Sequence, residues 1–351
     1  MDAIPVHSTL ILNPFTRYLS RLGIPMYASL RKCNLPTESF DDQGLYISSR
    51  SLWNFSDSMA RKECIEDFGF LVGQDSGANT LHPAFLQSLL AVPTLHSALV
   101  LAHKTLATQA SRSHITFSRP EADTLRICHH TSFGTEHPGH YQMEWFALAG
   151  MVGIVRLFAG PGWNPVEIGL ASHQPPSQAI RSCFLHTRFI NGLPSSYISI
   201  EASLLNSPPI DNSAEMENFS NPIHFSRPAS DFIGSLKQIL TTYLSSGIPH
   251  IQLLSEITGI SVRTLQRRLD KACINYRELL KLTMYEEAHH LLAHTDEPVG
   301  LISRKLGYSD STHFARAFRG IAGVSPLEFR SLRSTTTAQS NLSPGINKIV
   351  A

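Results

Sequence analysis

IQLLSEITGISVRTLQRRL at 251–269 and VGLISRKLGYSDSTHFARAFR at 299–319 are two versions of one pattern. Each predicts a short amphipathic helix with apolar residues about one turn apart (Leu254 and Ile257; Ile302 and Leu306). A glycine follows (Gly259; Gly307), suited to the positive φ of a sharp turn between helices. An apolar or aromatic residue comes next (Ile260; Tyr308), and a polar N-cap then opens a second helix (Ser261; Asp310). The whole 251–330 stretch therefore reads as two helix-turn-helix units joined by one long helix over 276–293.

The second helix of each unit has two faces. Leu265 and Leu269 lie four apart and point inward, as do Phe314 and Phe318. The outer face of the first carries Arg263, Thr264, Gln266, Arg267 and Lys271. The outer face of the second carries Ser311, Thr312, His313, Arg316 and Arg319. Arg and Gln read guanine and adenine edges in the major groove, and Arg and Lys also neutralise phosphates. A single basic helix face is as often merely solvated. Two matched units make the nucleic-acid reading the stronger one.

SVRTLQRRL at 261–269, LGYSDSTHFARAF at 306–318 and GVSPLEFR at 323–330 stand in an order and spacing that resemble the DNA-binding domain of AraC/XylS-type transcription regulators. The resemblance covers about 80 residues. It implies that Arg263, Gln266 and Arg267 face bases or phosphates from the first unit, and Thr312, His313 and Arg316 from the second. Lys271 and Arg319, near the helix ends, are assigned to phosphates or solvent. It also implies that the long helix holds the units so that they enter successive major-groove segments about 34 Å apart. Two positions depart from the family pattern. Met284 stands where an arginine is usual, and Gly320-Ile321 replace a basic-aromatic pair.

The chain has 351 residues, enough for two or three domains. Its 42% apolar and 16% charged residues describe an ordinary globular protein. Net charge is only +1, but residues 251–333 hold 12 Lys+Arg against 9 Asp+Glu, while residues 1–250 hold 16 against 19. The basic side is the one with the doubled motif. No run of about 18 apolar residues predicts a membrane span, and the N-terminus lacks the basic segment of a secretory signal. The five cysteines are scattered without a C-x-x-C, which fits reduced thiols and a cytoplasmic location.

The N-terminal half predicts helices over 15–30, 52–70, 83–90 and 95–108. Alternating segments at 114–117 and 124–130 predict strands, and 142–158 predicts a buried helix stopped by Gly160-Pro161-Gly162. Further strands are expected at 166–172, 183–189 and 197–200. This is an α+β domain over 1–205. Residues 206–230, with Pro208-Pro209, Pro222 and Pro228, read as a linker. A helix over 231–245 opens an all-α domain ending at 333, and the tail 334–351 reads as disordered.

RLGIP at 21–25, DFGFLVGQ at 67–74 and PGWNPVEIGLASHQP at 161–175 resemble the N-terminal effector and dimerisation domain of the AraC-type subgroup that includes ornithine-utilisation regulators. The resemblance implies an α+β sensor joined to a DNA reader, a homodimer, and contact with RNA polymerase.

Other motifs carry less. His129, His130, His137 and His140 cluster, but their spacing matches no metal motif, and they read as partly exposed polar side chains. Gly160-Pro161-Gly162 lacks the Lys-Ser/Thr ending of a phosphate loop. Trp145, Phe146, Phe158 and Trp163 read as core. No nucleophile elbow, zinc-protease motif or paired-carboxylate arrangement predicts an enzyme, and no cofactor is implied. The expectation is a cytoplasmic, sequence-specific transcription regulator. It binds double-stranded promoter DNA, usually to activate, under control of a small-molecule effector whose identity the sequence leaves open. Two alternatives stay open. One is an effector-independent regulator or repressor whose N-terminal domain only dimerises. The other is a metabolite-binding protein or enzyme with a helical C-terminal module.

Overall fold

A computed structural model describes residues 2–37, 44–76, 83–210 and 227–332. The chain divides into residues 1–239 with 256–259, and residues 240–255 with 260–351.

The first unit begins with β1 (Val6–Ser8), α1 (Leu12–Arg21) and α2 (Tyr27–Lys32). The single helix expected over 15–30 is therefore two. Gly23 takes φ +69°, and Pro25 disfavours a helical residue before it. Leu22 is exposed at this break. β2 (Tyr46–Ser48) pairs antiparallel with β1, a small sheet that sequence reading missed. α3 (Ser49–Lys62) and α4 (Phe68–Ser76) replace the single helix expected over 52–70. Cys64, at φ +55°, lies in the turn between them.

α5 (Pro83–Leu90) and α6 (Leu95–Gln109) lead into the hairpin β3 (His114–Glu121) and β4 (Thr124–His130). α7 (His140–Ala159) follows. β5 (Glu167–Gly169), α8 (Gln178–Cys183), β6 (Arg188–Ile190), β7 (Ser196–Glu201) and α9 (Phe232–Tyr243) complete the series. The strand expected at 183–189 is a correction. Ser177 caps a helix that runs to Cys183, and only Arg188–Ile190 is extended. The strand expected at 166–172 likewise shrinks to three residues.

The large sheet has the order β3-β4-β7-β5-β6 and is antiparallel except for the β5–β6 pair. α7 is its packing partner. Trp145, Leu148, Val152 and Val155 of α7 share one buried cluster with Ile127, Ile168, Ile198 and Ile200 of the strands. α4 crosses α7 closely because it carries glycine where they meet. A Cβ on Gly69 would fall 1.7 Å from the Gln142 carbonyl oxygen, and one on Gly73 2.7 Å from the Ala149 Cβ. This accounts for the two glycines of DFGFLVGQ. By length and composition alone α7 could cross a membrane, but 67% of its most apolar stretch is buried inside the fold. A second cluster joins α1, α3 and α4 through Phe15, Leu19, Trp53, Phe55 and Phe68.

Glu144, fully buried on α7, accepts hydrogen bonds from the Ala171 N–H (2.7 Å), the Ser172 N–H (3.3 Å) and the Ser196 hydroxyl. It fastens the helix to the strand ends.

The division between units falls within α9. Its first turns count with the N-terminal unit, where Ser235 Oγ accepts from the Ile4 N–H at 3.0 Å. The linker expected over 206–230 lies largely outside the described residues, as does the tail expected over 334–351.

The second unit contains the first part of α10 (Ile251–Thr258), whose residues from Glu256 on count with the first unit, and α11 (Val262–Lys271), α12 (Tyr276–His294), α13 (Val299–Lys305) and α14 (Ser311–Ala322). Residues 326–332 form a last helical segment. The core of this unit is Leu244, Met284, Ala288, Leu292, Ile302, Leu306, Phe314 and Phe318. Met284, at the position where family members usually carry arginine, is thus a core residue. Leu291 is only partly buried.

Candidate nucleic-acid interface and apolar cavity

Local chemistry fixes each recognition-type helix. Ser261 Oγ accepts the Thr264 N–H at 3.3 Å and opens α11. Asp310 opens α14, accepting the Thr312 N–H at 2.7 Å and the His313 N–H at 3.0 Å. These backbone hydrogen bonds, His313 first, hold the Asp310 carboxyl below its usual range. His313 Nδ1 also lies 3.2 Å from the same carboxylate. α12 begins with a reciprocal box. Asn275 Oδ1 accepts the Glu278 N–H at 3.0 Å, and Glu278 Oε2 accepts the Asn275 N–H at 2.9 Å. Its 19 residues make a rod of about 28 Å.

Leu265 and Leu269 on α11, and Phe314 and Phe318 on α14, are buried. Tyr308 packs its ring 5.4 Å from Phe314, and Phe314 lies 6.0 Å from Phe318. That anchoring leaves the opposite faces to solvent. Arg263, Gln266, Arg267 and Lys271 are exposed on α11, and Ser311, Thr312, His313, Arg316 and Arg319 on α14. Thr264 differs: it is half-buried, and its hydroxyl accepts from Ser261 Oγ at 3.0 Å. Its side chain serves the cap. Arg319 lies close enough to Glu328 to help lower that carboxyl, after the Ser325 hydrogen bonds that dominate the shift. Among the described residues Arg263, Arg267 and Arg316 make no ion pair.

The turn before α14 depends on Gly307. It takes φ +76°, and a Cβ there would sit 2.9 Å from the Leu244 carbonyl oxygen. Gly307→Val is expected to cost about 2–4 kcal/mol, from a left-handed β-branched residue plus a backbone clash. Chemical denaturation of the full chain reads this; an unchanged midpoint would remove the turn requirement.

The N-terminal unit holds a cavity of about 880 Å³ that sequence reading did not find. α1, α6, β3, β4 and α7 contribute to it, with Trp53 from α3. Leu10, Met26, Ile115, Met151 and Ile154 are among its buried apolar walls. Phe146, Ala147 and Gly150 face it from α7 and are only half-buried for that reason. A Cβ on Gly150 would meet nothing within 4 Å.

His7 and His129 line this cavity. His7 Nδ1 is 2.8 Å from Ser49 Oγ, and His129 Nε2 is 3.0 Å from Ser113 Oγ. Burial lowers His7 from 6.5 to about 4. Burial, with neighbouring histidines adding, lowers His129 to about 3. His140 is buried too, beside Trp53. The expectation of partly exposed histidines is therefore wrong for His129 and His140. Both are drawn inside because β4 and α7 turn those positions toward the core. Among the described residues no His/Cys/Asp/Glu group is arranged to hold a metal.

The family model described as the arabinose-binding domain of AraC transcription regulator, N-term, matches residues 23–209. A helix-turn-helix domain model matches residues 254–331. The HTH-type transcriptional regulator VqsM of Pseudomonas aeruginosa is 35% identical over 103 residues, 28% of this chain and 31% of that protein. The HTH-type transcriptional activator RhaS of Enterobacter sp. is 36% identical over 87 residues, 24% of this chain and 31% of that protein. The matched segments thus span under a third of these relatives. The crystal structure of transcriptional regulator CdpR from Pseudomonas aeruginosa covers 92% of this chain and 98% of its own, at 18% identity and a TM-score of 0.42.

Proposed function

The chain belongs to the AraC family of transcription regulators, and from that premise we propose that it binds promoter DNA sequence-specifically under control of a small molecule held in its N-terminal unit. The observation that carries this reading is the pair of capped, core-anchored helices, α11 and α14. Each turns a set of polar and basic side chains outward. Arg263, Gln266 and Arg267 are assigned to the DNA from α11, and Thr312, His313 and Arg316 from α14. Lys271, Ser311 and Arg319 belong to the phosphate-facing margin, and Thr264 acts through the cap.

The protein acts in the cytoplasm. It works as a homodimer, activates transcription by contacting RNA polymerase, and catalyses no reaction. Residues 206–230 link a sensor at 1–205 to a DNA reader at 231–333, and 334–351 is a tail. The effector acts by binding one functional state more tightly than another, since a ligand shifts an equilibrium only by its differential affinity.

The test is binding of the full-length protein to DNA, mapped across the source genome at two salt concentrations. A few strong sites near promoters are expected. Their affinity should fall steeply with salt, with a log–log slope of about −0.9 per phosphate neutralised. Uniformly weak, salt-insensitive binding by folded protein, with or without extracts containing small metabolites, would overturn the reading.

A further inference from the structure

We propose that the cavity in the N-terminal unit takes a neutral aromatic molecule whose carboxamide or similar carbonyl-bearing edge is held by His7 and Gln109. This deepens the effector reading above and rests on it.

The polar lining is extensive, but most of it is already engaged. Thr16 donates to the Asn13 carbonyl at 3.1 Å, Thr131 to the Phe133 carbonyl at 2.8 Å, and Ser132 to the Ser111 carbonyl at 3.2 Å. Ser113 and His129 bond one another. Asn13 and Arg17 have partners of their own. Ser20 and Tyr27 are exposed, so water serves them at the mouth. The groups left uncommitted inside include His7 Nε2, Thr105 and Gln109. None of the three makes a side-chain hydrogen bond there among the described residues. Thr105 and Gln109 lie four apart on one face of α6, and both are half-buried. The His7 backbone bridges to Ala110, the residue after Gln109, so these groups form one polar end.

Their chemistry decides the ligand's edge. The Ser49 hydroxyl, 2.8 Å from His7 Nδ1, has no other side-chain hydrogen bond among the described residues. It therefore donates to Nδ1. That puts the imidazole proton on Nε2, and His7 offers the cavity a donor. The Gln109 amide adds a donor and an acceptor. A carboxamide answers both: its carbonyl accepts from His7, and its N–H donates to Gln109. The same lining decides the charge. No Asp or Glu stands among the described lining residues, and the one arginine is engaged. His7 is buried and stays neutral well below pH 7. A charge carried inside would go unpaired, at high cost.

α7 decides the body. Its lining residues Met143, Phe146, Ala147, Gly150, Met151 and Ile154 are all apolar. Ala147 and Gly150 lie three apart on one helix face, so the middle of this wall is low and flat. Phe146, with Trp53 and Phe85 from other elements, supplies ring surface. Met143 and Met151 supply thioether sulfur, which makes favourable contacts with aromatic rings. At about 880 Å³ the space lies in the usual range for a small-molecule pocket. A polyol fits it poorly, because hydroxyls turned toward α7 would be desolvated without partners.

Two variants test this without breaking a described contact. Gln109→Leu removes the amide, and Gly150→Leu projects into the space, since a Cβ there meets nothing within 4 Å. Leucine also favours the helix more than glycine does. The experiment is thermal shift and titration of the full-length protein near neutral pH. The probes are indole-3-carboxamide, indole-3-carboxylate, indole, cyclohexanecarboxamide and L-arabinose. Indole-3-carboxamide is expected to raise the melting temperature of the wild type in a concentration-dependent way. The carboxylate and the cyclohexane amide should each bind at least about tenfold more weakly. Gln109→Leu should weaken the indole amide about tenfold and leave indole unchanged. Gly150→Leu should unfold no earlier than the wild type and lose the response to both. The proposal is overturned if the indole amide does not bind, if the carboxylate or the cyclohexane amide binds as tightly, or if Gln109→Leu leaves its affinity intact. Amide binding that persists in Gly150→Leu would remove the cavity itself. Response to arabinose alone, abolished by Gly150→Leu, would remove the aromatic amide and leave the cavity as the effector site. Specific promoter binding that no probe alters in a protein that binds none of them would overturn this inference and leave the DNA-binding reading standing.

Discussion

Arg267→Ala combined with Arg316→Ala is expected to weaken binding to the cognate promoter by roughly 30-fold to 10⁴-fold while leaving the fold intact. Each side chain is exposed on the helix face opposite a buried pair, Leu265 and Leu269 for the first, Phe314 and Phe318 for the second. Neither contributes to the core or to an ion pair among the described residues, so truncation should shift stability by less than about 0.5 kcal/mol. A good bidentate contact to a base supplies about 1–3 kcal/mol of discrimination. The two arginines stand on different helices, α11 and α14, so their effects should add.

The measurement is a titration of promoter DNA and of a scrambled duplex, with unfolding curves run alongside. Loss on the promoter with little change on the scrambled duplex identifies base readers. Equal loss on both, with a shallower salt slope, moves these arginines to the phosphates. Wild-type affinity in the folded double variant would sink the assignment of both helices.

How much of this was legible in the sequence follows from the range of the interactions involved. Both helix-turn-helix units could be read because their determinants are local. Ser261 reaches three residues, Asp310 two and three, and Gly307 turns the chain within a single residue. The inward and outward faces follow from helical period alone. The N-terminal α+β class was legible from equally local signals: β4 alternates cleanly along its length, and α7 is a long apolar run without proline. Errors came where a long-range context overrides a short pattern. The apolar residues of 183–189 look like a strand, yet the Ser177 cap two turns upstream commits residues to Cys183 to helix. The apolar spacing of 15–30 continues across Gly23, but the backbone does not. The cavity was invisible because its walls come from nine separated elements between β1 and α7, and an absent side chain at Gly150 is one of its main features. The single sequence hint was glycine in the middle of an apolar helix.

Acidification should destabilise the N-terminal unit well above the carboxylate range, and His7 and His129 are the cause. Both are buried, and an imidazolium in either place loses its water. Burial therefore lowers His7 to about 4 and His129 to about 3, against an ordinary 6.5. Around His129 stand His7, His114, His130 and His140, each adding repulsion, and His140 Nε2 lies 3.8 Å from Glu144. For a base depressed in the folded state, the unfolded chain takes the proton first. Stability is then complete above about pH 6.5 and falls with pH down to the folded values near 4 and 3. From about pH 7.5 to about pH 5.5 each histidine should cost about 1.3 kcal/mol, roughly 2.7 kcal/mol for the pair. Glu167 behaves differently. Burial pushes its carboxyl up, but the Tyr197 and Arg188 hydrogen bonds outweigh this and hold it below 4.5. The stability it lends is present above that range and is lost only as pH falls through its lowered value, outside the histidine window. Denaturant unfolding at both pH values tests the assignment. His129→Gln keeps a polar group near Ser113 and removes one titration, so the loss between the two pH values should drop by about half. An equal loss in wild type and variant would place the acid sensitivity elsewhere. Because both histidines line the cavity, a ligand that fills it should hold them neutral and reduce proton uptake further. Below about pH 4.5, where the empty unit begins to take up protons, the acid limb should therefore steepen when a ligand is bound. That links the stability of the unit to the occupancy of the site proposed to control it.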